Sequence, residues 1–159
     1  MTSYLIAGPG EEPVSLGAAK AFARVDGSDE DALIEALIAA ARLHVEALAG
    51  VALVTQTWRL AVPFAAGRLV PLPVGPVQAL IEAPEGAVLQ GDSVLLAEPV
   101  TGALTVDYTA GYGAAADVPA DLRQAVLTLV AYWYEHRDSV TVAPLGFERL
   151  LASHKRVRL

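Results

Sequence analysis

Hydrophobic positions along the chain change period twice, and each change marks a different kind of element. From Leu33 onward, Leu33, Ile34, Leu37, Ile38, Ala41, Val45 and Leu48 recur every three to four positions. That spacing predicts one buried stripe on a helix running Asp29–Ala49. Ser28 stands as its N-cap, Asp29, Glu30 and Asp31 crowd its first turn, and Gly50 is a natural stop. Glu35, Arg42 and Glu46 lie off the stripe, while Ala36, Ala39, Ala40 and Ala47 keep the helix smooth enough for close approach by another. A shorter helix is predicted from Leu16 to about Arg24, capped by Ser15 and ended by the turn signal Asp26-Gly27.

From Val51 to Tyr112 the helical period disappears. Pro63, Pro71, Pro73, Pro76, Pro84 and Pro99 punctuate short runs rich in Val, Leu and Thr. The candidate strands are Gln56–Val62, Arg68–Leu72, Val77–Glu82, Val94–Ala97 and Leu104–Tyr108. In the last of these, Leu104, Val106 and Tyr108 alternate with Thr105, Asp107 and Thr109, the pattern of a half-buried strand. No helix separates the strands, so the expected sheet is antiparallel rather than βαβ.

Helical character returns after Asp117. Pro119 suits a first helical turn, and Asp117 and Asp121 put negative charge near the positive end of the helix dipole. From Ala125 to Tyr134 the helix Asp121–Arg137 is apolar or aromatic on every face except at Thr128. A helix of that kind must be covered all round. Its apolar run is far shorter than the roughly 20 residues that cross a bilayer, so the cover must be protein, part of it supplied by further copies of the same chain. A loop (139–145) and a short amphipathic segment (146–154) follow.

These elements predict an α+β fold: one domain over residues 1–159, mainly an α-helical bundle (15–50 and 117–159) with a small antiparallel β insertion (51–112). Composition sharpens the functional side. Hydrophobic residues make up 54% of the chain, enough for a substantial core or buried interface. The formal net charge of −7 disfavours a grip on nucleic acid, which needs clustered Lys and Arg, and instead suits a wall that lets DNA pass. With no Cys, disulfides and thiolate metal sites are excluded. The opening residues lack the basic and apolar regions of a signal peptide. Against the acidic body, Arg149, Lys155, Arg156 and Arg158 concentrate in the last eleven positions, which contain no acid.

Catalytic chemistry is thin. His44 falls near the edge of the helical stripe and reads as a packing residue, and His136 sits in the last helical turn, where a cation favours the dipole. His136, Asp138 and Ser139 are too close along the chain to converge on one reacting atom. No HExxH pair or acidic calcium loop occurs. Gly111-Tyr112-Gly113 joins a strand to a helix but lacks the lysine of a phosphate loop. It reads as a connector, and Trp58, Tyr132, Trp133 and Tyr134 read as core or interface aromatics.

The ordered set SLGAAKAFARVDG, DEDALIEALIAAARLHVEALAG, TQTW, LPLPVGPVQAL, VDYTAGYG, VPADLRQAVLTLVAYWYEHRD and LLASHKRVRL resembles the head–tail connector (adaptor) proteins of tailed bacteriophages and of gene transfer agents. The resemblance runs from Val14 to Leu159. It implies a non-enzymatic building block without cofactor or metal, in a ring, usually of twelve copies, beneath the portal of a DNA-filled capsid. Such a ring extends the DNA exit channel and offers a platform to a tail-side stopper. Its place would be the head–tail junction of the particle, after assembly in the bacterial cytoplasm.

On that resemblance, Leu145, Phe147, Arg149, Leu150, Lys155, Arg156, Arg158 and Leu159 form a portal-docking tail. Truncation after Ala143 is then expected to abolish joining and leave the monomer folded. Leu33, Leu37, Val45, Leu129, Trp133 and Tyr134 belong to the core or the subunit interface. Asp29, Glu30, Asp31, Glu35 and Glu46 are candidates for a lumen-facing side. The alternatives are another head–tail joining protein, a stopper or tail terminator, which are usually dominated by β-structure, and a small-ligand or enzymatic domain, for which no plausible polar pocket is found.

Overall fold

The computed structural model describes residues 1–63, 67–138 and 142–155. The elements run β1 (Thr2–Ala7), α1 (Leu16–Ala23), α2 (Asp31–Ala49), β2 (Gln56–Val62), β3 (Leu69–Pro71), β4 (Val77–Glu82), β5 (Val88–Gln90), β6 (Ser93–Leu95), β7 (Leu104–Ala110), α3 (Ala120–Glu135) and α4 (Phe147–Leu151). A single 3-10 turn, Ala115–Asp117, precedes α3.

The expected helical bundle with a small β insertion is not what forms. The strands make two antiparallel sheets, one of order β1-β2-β7-β4 and one of order β3-β6-β5. The fold is mixed, with seven strands beside four α-helices among the described residues. Two features hid this. β1 (TSYLIA) has no clean alternation, and its partner β2 lies fifty or more positions away, from Thr2↔Ala61 to Ala7↔Thr57. Such strands are defined by their pairing more than by their own residues. The β5–β6 hairpin has only three residues in each strand, too few for a period to show. Because β1 comes first, the chain does not begin in a helix.

Each half has its own core. In the helical half, Ile34, Leu37, Ile38, Ala41 and Val45 of α2 pack with Leu122, Ala125, Val126, Leu129, Val130 and Trp133 of α3 and with Phe147 and Leu151 of α4. In the β half, Leu60, Leu104, Val106 and Tyr108 of the larger sheet meet Val70, Leu72, Val94 and Leu96 of the smaller one. The Tyr108 hydroxyl accepts from the Val74 amide at 3.4 Å. Residues 51–54 join the halves: Val51, Leu53 and Val54 enter the helical core and Ala52 the β core.

Local signals explain the helix ends. Ser15 caps α1 by accepting from the Ala18 amide at 3.1 Å. Gly50 ends α2 at φ 72°, in the left-handed region glycine tolerates. Ser28 does not cap α2; Glu30 takes that position with its side chain committed elsewhere. Pro119 lies one place outside α3, in extended conformation. The buried stripe of α3 covers one face only, while Leu127, Tyr132 and Tyr134 are partly covered. The chain by itself therefore does not wrap α3 on all sides. On α2, Leu48 is 39% exposed and leaves the predicted stripe.

Candidate functional site

The C-terminal segment divides into an anchor and a free face. Phe147 and Leu151 are 2% and 0% exposed, inside the helical core. His154 is tied down as well, its Nε2 2.7 Å from an Asp121 carboxylate oxygen and its Nδ1 3.2 Å from the Tyr112 hydroxyl. Burial pushes the Asp121 carboxyl up, but the hydrogen bond and charge of His154 outweigh it and hold the group below its usual range. Leu145 and Arg149 face solvent, Leu150 is half-buried, and Lys155 pairs with Glu148 at 3.0 Å. Arg156, Arg158 and Leu159 lie outside the described residues. The segment expected to dock is thus only partly free, because Phe147 and Leu151 of α4 belong to the core. Truncation after Ala143 would remove Phe147 and Leu151 from the helical core together with the exposed residues.

The acids of α2 separate in the same way. Glu30 is held by the Tyr134 hydroxyl and by Arg137 at 2.5 Å, and these hydrogen bonds keep its carboxyl below the ordinary value. Asp31 pairs with Lys20 at 2.5 Å. Asp29 and Glu35 are exposed and, among the described residues, have no side-chain partner. Glu46 does not face solvent. Its carboxylate accepts from Arg42 at 2.9 Å, from the Leu53 amide at 2.9 Å and from Gln56 Nε2 at 2.6 Å.

Arg42 also reaches Glu12 at 2.8 Å, so the N-terminal loop, α2 and the start of β2 are joined through the Arg42–Glu46 pair. Burial opposes that charge, yet the two carboxylates raise the Arg42 pKa above its ordinary value. At Glu46, burial prevails over the three donors and pushes the carboxyl up. This cluster escaped the sequence reading, although an Arg–Glu pair four apart inside an apolar helix was a usable signal.

Of the predicted core or interface residues, Leu37, Val45, Leu129 and Trp133 are buried, whereas Leu33 and Tyr134 are partly covered. The outer face of α2 (Ala32, Glu35, Ala36, Leu43 and Ala47) is exposed. A groove of about 490 Å³ opens between the start of α1 and the start of α3. Pro13, Val14, Ala18, Ala120 and Leu127 supply its apolar walls, and Arg123 is its single charged residue. At the free edge of the larger sheet, Tyr4, Leu5 and Ile6 of β1 are each more than 40% exposed.

The other two histidines contact aromatic rings. The His44 ring meets Trp133 edge-on at 5.6 Å, and His136 stacks on Tyr132 at 4.4 Å. Gly111 and Gly113 serve the backbone: the Tyr112 amide donates to the Leu53 carbonyl, and the Thr55 amide to the Gly113 carbonyl. Among the described residues, no group of three or more His, Asp or Glu side chains is placed to hold a metal. No helix there is long and apolar enough to cross a membrane.

The fold is mixed, with a helical core and a two-sheet core. The sequence model described as Head completion protein matches residues 76–143, from the start of β4 to the approach to α4. Three solved structures share the fold across the whole chain and 97% of their own. One is a chain of the virion of a native gene transfer agent particle, at 23% identity and a TM-score of 0.83. Another comes from the neck of an empty gene transfer agent particle computed with C6 symmetry, at 24% and 0.82. The third comes from the neck of a native particle computed with C12 symmetry, at 27% and 0.74. No curated protein matches. The chain thus shares its fold with chains of gene transfer agent particles over its whole length, and its sequence matches the head completion model over residues 76–143.

Proposed function

We infer that this chain is a structural head–tail connector, seated at the junction between a DNA-filled head and its tail. The observation that carries this reading is end-to-end similarity to a neck chain: 27% identity over the whole of this chain and 97% of the other. The head completion match over residues 76–143 supports it independently.

The finer picture follows from the surfaces. Copies form a ring, of twelve if the C12 symmetry of the similar neck carries over. The partly covered flank of α3 and the exposed outer face of α2 supply its subunit contacts. Leu145, Arg149 and the basic residues Arg156 and Arg158 reach toward an acidic surface of the portal, while Phe147 and Leu151 fix the segment that presents them. Asp29, free of any ion pair among the described residues, is the acid best placed to keep a channel wall unattractive to DNA. A tail-side stopper binds the opposite end of the ring, which assembles in the cytoplasm of the producing cell. The role is architectural, without a cofactor.

Deleting the gene from a producing strain tests the reading. Filled heads without tails are the expected product, restored to tailed particles by the gene supplied in trans. Normal tailed particles from the deletion strain would refute it.

A further inference from the structure

Two surfaces of the helical half are complementary, and neither is covered by the chain itself. The first is the concave groove between α1 and α3. Its walls are small or apolar apart from Gln124 and Arg123, and Arg123 has no side-chain partner among the described residues. The second is the convex outer face of α2. Positions 32, 36, 39, 43 and 47 fall together on the side opposite the buried stripe, as the 3.6-residue period requires. All but Leu43 are alanine, and Leu43 is 55% exposed. Glu35 borders this face and likewise has no partner among the described residues. Arg42, the nearest cation on α2, is turned inward to Glu12 and Glu46.

A smooth helix face can approach a groove closely, as amphipathic helices do in helix-in-groove recognition. The groove contributes one unpaired cation and no acid. The helix face contributes one unpaired acid and no cation. Because the two surfaces are different patches of one chain, their pairing is heterologous, and heterologous contacts repeat around an axis to close a ring.

Resting on the connector reading, we propose that the outer face of α2 in one copy docks into the α1–α3 groove of the next, with Glu35 paired to the neighbour's Arg123. This contact sets the head-to-tail order of the ring. It fits a second copy of the chain better than an unrelated protein, since both halves of the complementarity lie on the same molecule.

Charge reversal tests it. In producing cells, Glu35→Arg and Arg123→Glu each place like charges face to face. Each is expected to lower the amount of this chain in purified particles by roughly tenfold or more. The double variant, Glu35→Arg with Arg123→Glu, restores the pair and the incorporation. Unchanged thermal unfolding of the purified single variants confirms that folding is intact. A second measurement uses the absence of native cysteine. Particles carrying Glu35→Cys with Arg123→Cys are oxidised and run on a non-reducing gel. A ladder of covalent oligomers is expected from the double variant and none from either single variant. Incorporated chains that stay monomeric on that gel overturn the inference while leaving the connector reading intact. Loss in both charge-reversed singles without rescue in the double assigns the groove to a different protein and also overturns it. Absence of the wild-type chain from particles is the separate result that would remove the connector reading itself.

Discussion

Arg42 shows how one residue can hold segments that the sequence keeps apart. Its guanidinium bonds Glu12 on the loop before α1 and Glu46 one turn along α2, and Glu46 in turn binds the Leu53 amide and Gln56. Removing the cation strands a carboxylate whose side chain is only 10% exposed. Arg42→Ala is therefore expected to destabilise the fold by about 3–5 kcal/mol in urea unfolding. Arg42→Met combined with Glu46→Gln, which leaves no buried charge, should cost clearly less. A loss in the double variant as large as in the single would show that packing, not charge, sets the cost. Gly111 makes a steric version of the argument. It holds φ 135°, and a Cβ there would lie 2.6 Å from the Val54 carbonyl oxygen. Since that neighbour is backbone and cannot swing away, Gly111→Ala is expected to cost at least about 1–3 kcal/mol, read from the same unfolding curves.

At the scale of elements, what was legible depended on how local the determinants were. β2 and β4 stand where their residue patterns placed them, at Gln56–Val62 and Val77–Glu82, and α2 ends at Gly50 as expected. Each of these is marked by its own residues. β1 was invisible because a six-residue segment with only four apolar positions in a row becomes a strand only when β2 is there to receive it. The N-cap position falls to Glu30 rather than Ser28, and the Glu30 side chain bonds Tyr134 on α3 and Arg137 just beyond it, more than a hundred positions away. Of the candidate site, the exposed character of Leu145 and Arg149 could be read ahead, but the anchoring of Phe147 and Leu151 could not, since nothing local distinguishes a core anchor from a docking residue. One cross-strand pair yields a prediction of its own. Arg59 on β2 grips Asp107 on β7 through two contacts of 2.6 and 2.5 Å. The Arg59 hydrogen bonds hold the Asp107 carboxyl below its ordinary value of 3.8. A carboxyl lowered on folding contributes stability that is present above about pH 3.8 and lost as pH falls through its lower folded value. Stability should thus drop on acidification below that point, and Asp107→Asn should flatten this part of the unfolding-versus-pH profile. An unchanged profile in the variant would exclude the pair as its source.

For the molecule as a whole, the basic end of the chain must be separated from the core before it can be tested. The side chains of α4 that face inward, Phe147 and Leu151, complete the helical core, and His154 ties the segment to Asp121 and Tyr112. A cut after Ala143 removes anchor and free residues together. Losing two large buried side chains should cost several kcal/mol, since each large-to-small core deletion alone costs about 2–5 kcal/mol. Failure to join heads would then report unfolding. A cut after Lys155 removes Arg156, Val157, Arg158 and Leu159 and spares every buried contact described here. If the basic end docks the chain to an acidic surface on the head, this shorter protein should unfold at the same temperature as the full chain yet leave filled heads without tails. Arg156→Glu with Arg158→Glu should do the same without changing length, and raising salt during in vitro joining should weaken the full chain toward that phenotype, because exposed charge pairs are screened. Tailed particles at normal yield from the Lys155 truncation would move the docking role away from the last four residues and onto the exposed face of Leu145 and Arg149, where Leu145→Asp and Arg149→Glu become the deciding substitutions.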